Sequence, residues 1–184
     1  MLTRLRILLR ITRSYAIARR YFVVNGFDGA LTMLGMTMGF YVSGDVALSV
    51  ALSACLGGAI ALGMSGLSSA YISEAAERQK ELHDLEQAMV TPMDQSAHAA
   101  AARLVPFVIA AVNGAAPFVI AVLIIAPIWL VHFGVDFPFA PLPASIATAY
   151  IVIFLLGIFL GRISGTFWLW AGLKTLAIAV VTSA

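Results

Sequence analysis

The sequence predicts an all-α integral membrane protein: five transmembrane helices, an N-terminal amphipathic helix, and a cytoplasmic acidic helix that continues the second span. Three observations lead there. Apolar residues fill 61% of the 184 positions and charged ones only 11%, under half of the ~25% usual in a soluble domain. The apolar residues gather into runs about long enough to cross a bilayer core, separated by short polar turns. The cations are clustered: six of the eleven Lys and Arg residues (Arg4, Arg6, Arg10, Arg13, Arg19 and Arg20) lie in the first twenty positions. No linker or low-complexity tract divides the chain, so residues 1–184 read as a single transmembrane domain.

Residues 1–20 form a basic arm in which arginines recur between Leu, Ile and Tyr, with no uninterrupted apolar core followed by a small-residue cleavage site. They predict an amphipathic helix lying on the membrane, its cations against anionic lipid headgroups. A mitochondrial presequence shares this composition. Beside apolar spans such a cluster speaks for membrane lipid as partner and against nucleic acid. The single cysteine, Cys55, sits in an apolar segment and reads as packing.

The first span, Tyr21 to Gly44, carries a carboxylate, Asp28, in its first half. At ~100° per residue, Asn25, Asp28, Thr32, Gly35 and Gly39 fall on one side of the helix. Small residues allow a second helix to approach closely, and polar ones need a partner where water is absent. This side is therefore a pathway or a packing stripe, with Asp28 as its chemical focus, since an intramembrane acid is costly unless it faces protein, water or an ion. The plainer reading is a packing stripe with one hydrogen-bonded acid.

After the turn Ser43-Gly44-Asp45, a second apolar run extends from Val46 to about Ile72 and predicts a helical hairpin with the first. Its glycines (Gly57, Gly58, Gly63, Gly66) permit close contact, and Met64 with Ser65, Ser68, Ser69 and Ser73 gives its second half a mildly polar set. Serines in such helices often bond their own backbone. Residues 73–103 form a short cytoplasmic acidic helix and connector. Glu74, Glu77, Glu81 and Asp84 stand at offsets that place them on one helix face. Stacked carboxylates repel unless a cation lies among them. Hard oxygen ligands suit divalent cations, with His83, Met89, Met93 and His98 as softer donors nearby. The plainer reading is a solvated helix laced by Glu74 with Arg78 and Glu77 with Lys80.

Thr91-Pro92 ends that helix, and the third span runs from about Leu104 to Val131, interrupted by Pro106, Asn113-Gly114, Pro117 and Pro127. Those prolines predict a bent helix that widens a lumen. The fourth span, about Ala144 to Leu160, offers Gly157 and Gly161 at GxxxG spacing. A turn at Gly161 to Gly165 precedes a short fifth span that holds Lys174. Lys and Arg occur in the arm, between Arg78 and Arg103, and at Arg162, but not in the Ser43–Asp45 and His132–Pro143 loops. That alternation predicts a multi-pass protein with a cytoplasmic N-terminus. No GxSxG, Walker A, CxxC or HExxH motif is present, so an enzyme is not expected.

A basic arm, a first span with Gly-x-x-Asp-Gly character at Asn25 to Gly29, a second span running into an acidic helix, and three further spans resemble the vacuolar iron transporter family. The resemblance covers most of the chain from Tyr21 onward, with further echoes at Tyr71-Ile72-Ser73, at Arg78-Gln79, at Asn113-Gly114-Ala115-Ala116-Pro117 and from Gly161 to Lys174. It implies a homodimeric exchanger that moves iron(II), in some members manganese(II), out of the cytosol against protons. It implies a metal site at Asp28 with Met64 as a thioether ligand, and metal-gathering carboxylates at Glu74, Glu77 and Glu81. The chain departs from the family in its short insert, about thirty residues between Ile72 and Leu104, and in Ala70, where the family commonly has Glu.

The functional expectation is a divalent-metal/proton antiporter with no tightly bound cofactor, Fe²⁺ or Mn²⁺ being the transported substrate. One carboxyl that takes either a cation or a proton would couple the two fluxes. The alternative is a non-transporting scaffold subunit of a larger membrane complex that retains the transporter-like fold.

Overall fold

A computed structural model describes residues 14–93, 95–136 and 138–183, all of whose regular structure is helical. The helices are α1 (Ser14–Ser43), α2 (Leu48–Met89), α3 (Ala97–His132), α4 (Pro141–Ser164) and α5 (Trp168–Ser183). Three of them, α2, α3 and α4, are long and apolar enough to cross a membrane, which makes this a membrane protein. The shorter α5 is also apolar, whereas α1, diluted by Asn25, Asp28 and its threonines, does not reach the same measure.

The start of the basic arm, residues 1–13, lies outside the described residues. From Ser14 the chain is already helical and continues into the first apolar run without a break. Residues 14–20 are therefore the first turns of α1 and not a separate surface helix. Ile17 and Tyr21 pack there against Ala101, Val105 and Ile109 of α3, which explains why the helix has no reason to turn along the membrane.

Helix α2 is one continuous element of 42 residues, as expected of a span that runs into an acidic extension. At ~1.5 Å per residue it is ~60 Å long, about twice the hydrocarbon thickness. It ends on Val90, which adopts a left-handed conformation (φ 52°). The chain cannot continue helically because Thr91 precedes Pro92, and the residue before proline is driven from the α region. Helix α3 starts at Ala97, earlier than the bilayer crossing alone requires. Ser96 caps it, its Oγ accepting the Ala99 N–H at 3.1 Å, and an alanine-rich run follows. The outer part of the connector is thus helical, and the extensions of α2 and α3 lie side by side.

The centre of the bundle is α3. It packs extensively on α2, strongly on α1 and also on α4, while α1 touches α2 only lightly. The expected α1–α2 hairpin is connected by a short turn, but its two helices are not each other's main partners. The α3 prolines Pro106, Pro117 and Pro127 are all buried, where the missing N–H leaves a carbonyl for a neighbour to cover, and Pro106 also lines a cavity of about 320 Å³ between α2 and α3. The main core joins Met33 and Leu34 of α1, Leu52, Cys55 and Ala59 of α2, Ile120 to Ile128 of α3, and Ala149, Ile153 and Leu156 of α4.

Helix α5 is held by the GxxxG pair. A Cβ on Gly157 would lie 2.9 Å from the Gly172 Cα, and one on Gly161 would lie 2.7 Å from the Ala171 Cβ. The two backbones therefore approach as the spacing predicts. Gly165 (φ 70°) supplies the left-handed residue that ends α4.

Candidate metal pathway along α1

Around α1 the side chains divide sharply. Val23, Gly26, Ala30, Met33, Leu34 and Thr37 are buried in the bundle, and Thr37 spends its hydroxyl on the Met33 carbonyl at 2.7 Å. The opposite side is open. Asp28, Gly35 and Gly39 are exposed, Thr32 is half-buried, and nothing lies within 4 Å of a Cβ built on Gly35 or Gly39. Four of the five stripe residues thus share one uncovered face with the carboxylate among them.

The fifth, Asn25, is drawn inward. Its amide donates to the Tyr21 carbonyl at 3.0 Å and to the Asn113 side-chain oxygen of α3. Asn113, buried, donates in turn to the Gly66 carbonyl of α2 at 2.6 Å. Two asparagines therefore tie three helices together. The same level is packed backbone to backbone: a Cβ on Gly29 would lie 2.7 Å from the Pro117 carbonyl oxygen, and one on Gly66 2.9 Å from that of Asn113. Pro117 has no N–H to offer the Asn113 carbonyl four residues earlier, so the bare Gly66 backbone covers it. Spacing along α1 gives no sign of Asn113 or Pro117 as supports of this level. The usable signal is the Asn-Gly-Ala-Ala-Pro run, where a polar residue and a helix breaker coincide inside an apolar span.

Met64 is exposed, on a groove of about 310 Å³ between α2 and α3 that it lines with Ile60, Gly63, Leu67 and Phe118. Asp28 does not line that groove. The thioether thus opens onto the α2–α3 groove and the carboxylate onto the uncovered face of α1.

The acidic stripe on α2 is divided by Arg78. The Arg78 guanidinium meets Glu74 at 2.7 Å and Glu81 at 2.7 Å. Glu74 and Arg78 are both buried, a placement charged groups accept only when paired. Glu77 and Asp84 are exposed and make no ion pair with a described residue. His98, exposed, lines a small cavity beside Arg78 and Glu81, and His83 contacts Gln87 at 2.9 Å. Among the described residues of one copy, no group of three or more His, Cys, Asp or Glu side chains is placed to hold a metal ion.

No family model matches this chain. An uncharacterised protein of Methanocaldococcus jannaschii is 28% identical over 167 residues, which span 89% of this chain and 84% of the relative. No solved structure matches this chain.

Proposed function

We propose that this chain is one half of a homodimeric carrier that moves divalent metal cations, iron(II) or manganese(II), out of the cytosol in exchange for protons, with Asp28 as the ion-binding carboxylate. The observation that carries this reading is the exposed carboxylate on the uncovered face of α1. Facing lipid, an ionised Asp would cost ~2.5 kcal/mol or more at the bilayer centre. A second copy placing its own α1 face there removes the lipid, and the bare Gly35 and Gly39 allow that approach. Two Asp28 carboxylates then face each other. They repel when both are ionised and empty, and either a divalent cation or protons relieves the repulsion. Exchange of one for the other is the coupling. Hard oxygen donors favour the divalent metal, and Met64 with the exposed α2 acids Glu77 and Asp84 belongs to the wider metal route, Glu74 and Glu81 being held by Arg78.

In this reading the chain crosses the membrane five times with its N-terminus cytoplasmic. The α1 start, α2 end, α3 start and α4 end lie at one end of the bundle, with Tyr71 against Phe107, Tyr21 in the cluster of Val105, and Phe22 against Phe159. That end carries Arg19, Arg20, Arg78, Lys80, Arg103 and Arg162, whereas the opposite loops have neither Lys nor Arg. The resemblance to vacuolar iron transporters agrees with this arrangement.

Mn²⁺ uptake into proteoliposomes is the test, with parent protein compared against Asp28→Asn. Uptake should fall to the level of empty liposomes in the variant. Undiminished uptake would remove Asp28 from the mechanism. The competing reading, a scaffold subunit, is favoured by Arg78, which occupies Glu74 and Glu81 and so withdraws half of the acidic stripe from metal. It predicts no uptake by the parent protein either.

A further inference from the structure

A groove of about 400 Å³ runs between the first turns of α1 and the last turns of α4. Along most of its length it is apolar, lined by Val24, Phe27, Leu160 and Ile163, and Arg19 and Arg20 stand toward its α1-start end beside Ile17. Neither arginine forms an ion pair with a described residue, and no described carboxylate lines the groove. The Arg20 guanidinium is 5.8 Å from the Tyr21 ring centre, a contact that leaves its donors free.

We infer that this groove seats one anionic glycerophospholipid, its phosphate between Arg19 and Arg20 and an acyl chain along Val24, Phe27 and Leu160. The charge pattern selects the occupant. The groove changes from cationic to apolar over about two helical turns, ~10 Å, which matches the passage from headgroup to chain in an amphiphile. Guanidinium groups bind phosphate oxygens through paired N–H donors. The site lies at the basic end of the bundle, where the surrounding leaflet presents anionic headgroups. A second copy fits poorly, because it would set like-charged arginines against an apolar wall with no carboxylate to meet them. Asp28 does not line the groove, so the lipid seat is separate from the proposed ion pathway and does not depend on it.

Native mass spectrometry of the detergent-purified protein, offered equal amounts of phosphatidylglycerol and phosphatidylcholine with identical acyl chains, tests this. One phosphatidylglycerol per chain should be retained roughly thirtyfold better than phosphatidylcholine, as two nearby cations warrant, and rising salt should erode that preference. Arg19→Gln with Arg20→Gln should abolish the preference while leaving weak retention of both lipids. Val24→Trp, which fills the apolar part, should reduce retention of both. Equal retention of the two lipids by the parent protein would overturn the inference whatever the variants do. So would a preference that survives the double arginine change, or disulfide-linked dimers formed by Val24→Cys in place of lipid retention.

Discussion

At the scale of single residues, two glycines of α1 that look alike in the sequence have opposite environments. A methyl on Gly29 would meet the Pro117 backbone at 2.7 Å, and backbone cannot give way as a side chain can. Gly29→Ala should therefore cost ~1–3 kcal/mol through overpacking, seen as a lower thermal midpoint in detergent. Gly35→Ala meets open space and should leave the stability of a single copy unchanged. Asn113→Ala should cost a similar ~1–3 kcal/mol, because it removes two interhelical hydrogen bonds, to the Gly66 carbonyl and from the Asn25 amide. An Asn113→Ala protein as stable as the parent would show that the three-helix knot carries no weight. The helical period placed Asp28, Gly35 and Gly39 together correctly, since one helix fixes its own angles. It could not separate a covered glycine from an open one, because that depends on where α3 stands. Asn25 shows the same limit: its angle fits the stripe, but a partner on another helix captures its side chain.

At the scale of elements, α2 shows how a span becomes an extension. Its apolar half needs a bilayer or a neighbour, and its charged half is stabilised by the Glu74–Arg78–Glu81 group on the side toward α3. Equal spacing suggested four equivalent carboxylates. Arg78 breaks that equivalence, since i, i+3 and i, i+4 neighbours reach it from both sides. Arg78→Met should leave Glu74 buried without a partner, a loss on the order of 3 kcal/mol. Amides in the last turns of α2 should then exchange with solvent severalfold faster than in the parent, while those of Leu52 to Ala59 stay protected. Uniform exchange in both proteins would mean that the ion group does not hold the extension. For metal gathering, Glu77 and Asp84 are the informative pair, being exposed and outside the Arg78 group. Replacing both by their amides should weaken Mn²⁺ binding severalfold by calorimetric titration if the extension collects cations. Unchanged affinity would make the extension a connector.

At the scale of the whole molecule, composition alone led to a helical membrane protein, and the positions of the helices followed from apolar run length and turn residues. The central element did not. The first span holds the striking carboxylate, yet the bundle is assembled on α3, whose prolines and small residues let three other helices approach. A sequence shows chemical peculiarity directly and contact density hardly at all. The five-span arrangement makes its own prediction: single cysteines replacing Gln95 and Asp136, with Cys55 changed to Ala, should label from opposite sides of the membrane. Labelling of both from one side would refute it.

The account turns on the open face of α1 being covered by the same face of a second copy. Oxidative crosslinking in native membranes of the Cys55→Ala protein, with one cysteine at a time at Gly35, Gly39 or Gly57, tests that most directly. Gly57 of α2 is equally free of neighbours within the chain and serves as the control. The account predicts covalent dimers from Gly35→Cys or Gly39→Cys and none above background from Gly57→Cys. Dimers from Gly57→Cys alone, or none from either α1 position, would contradict it.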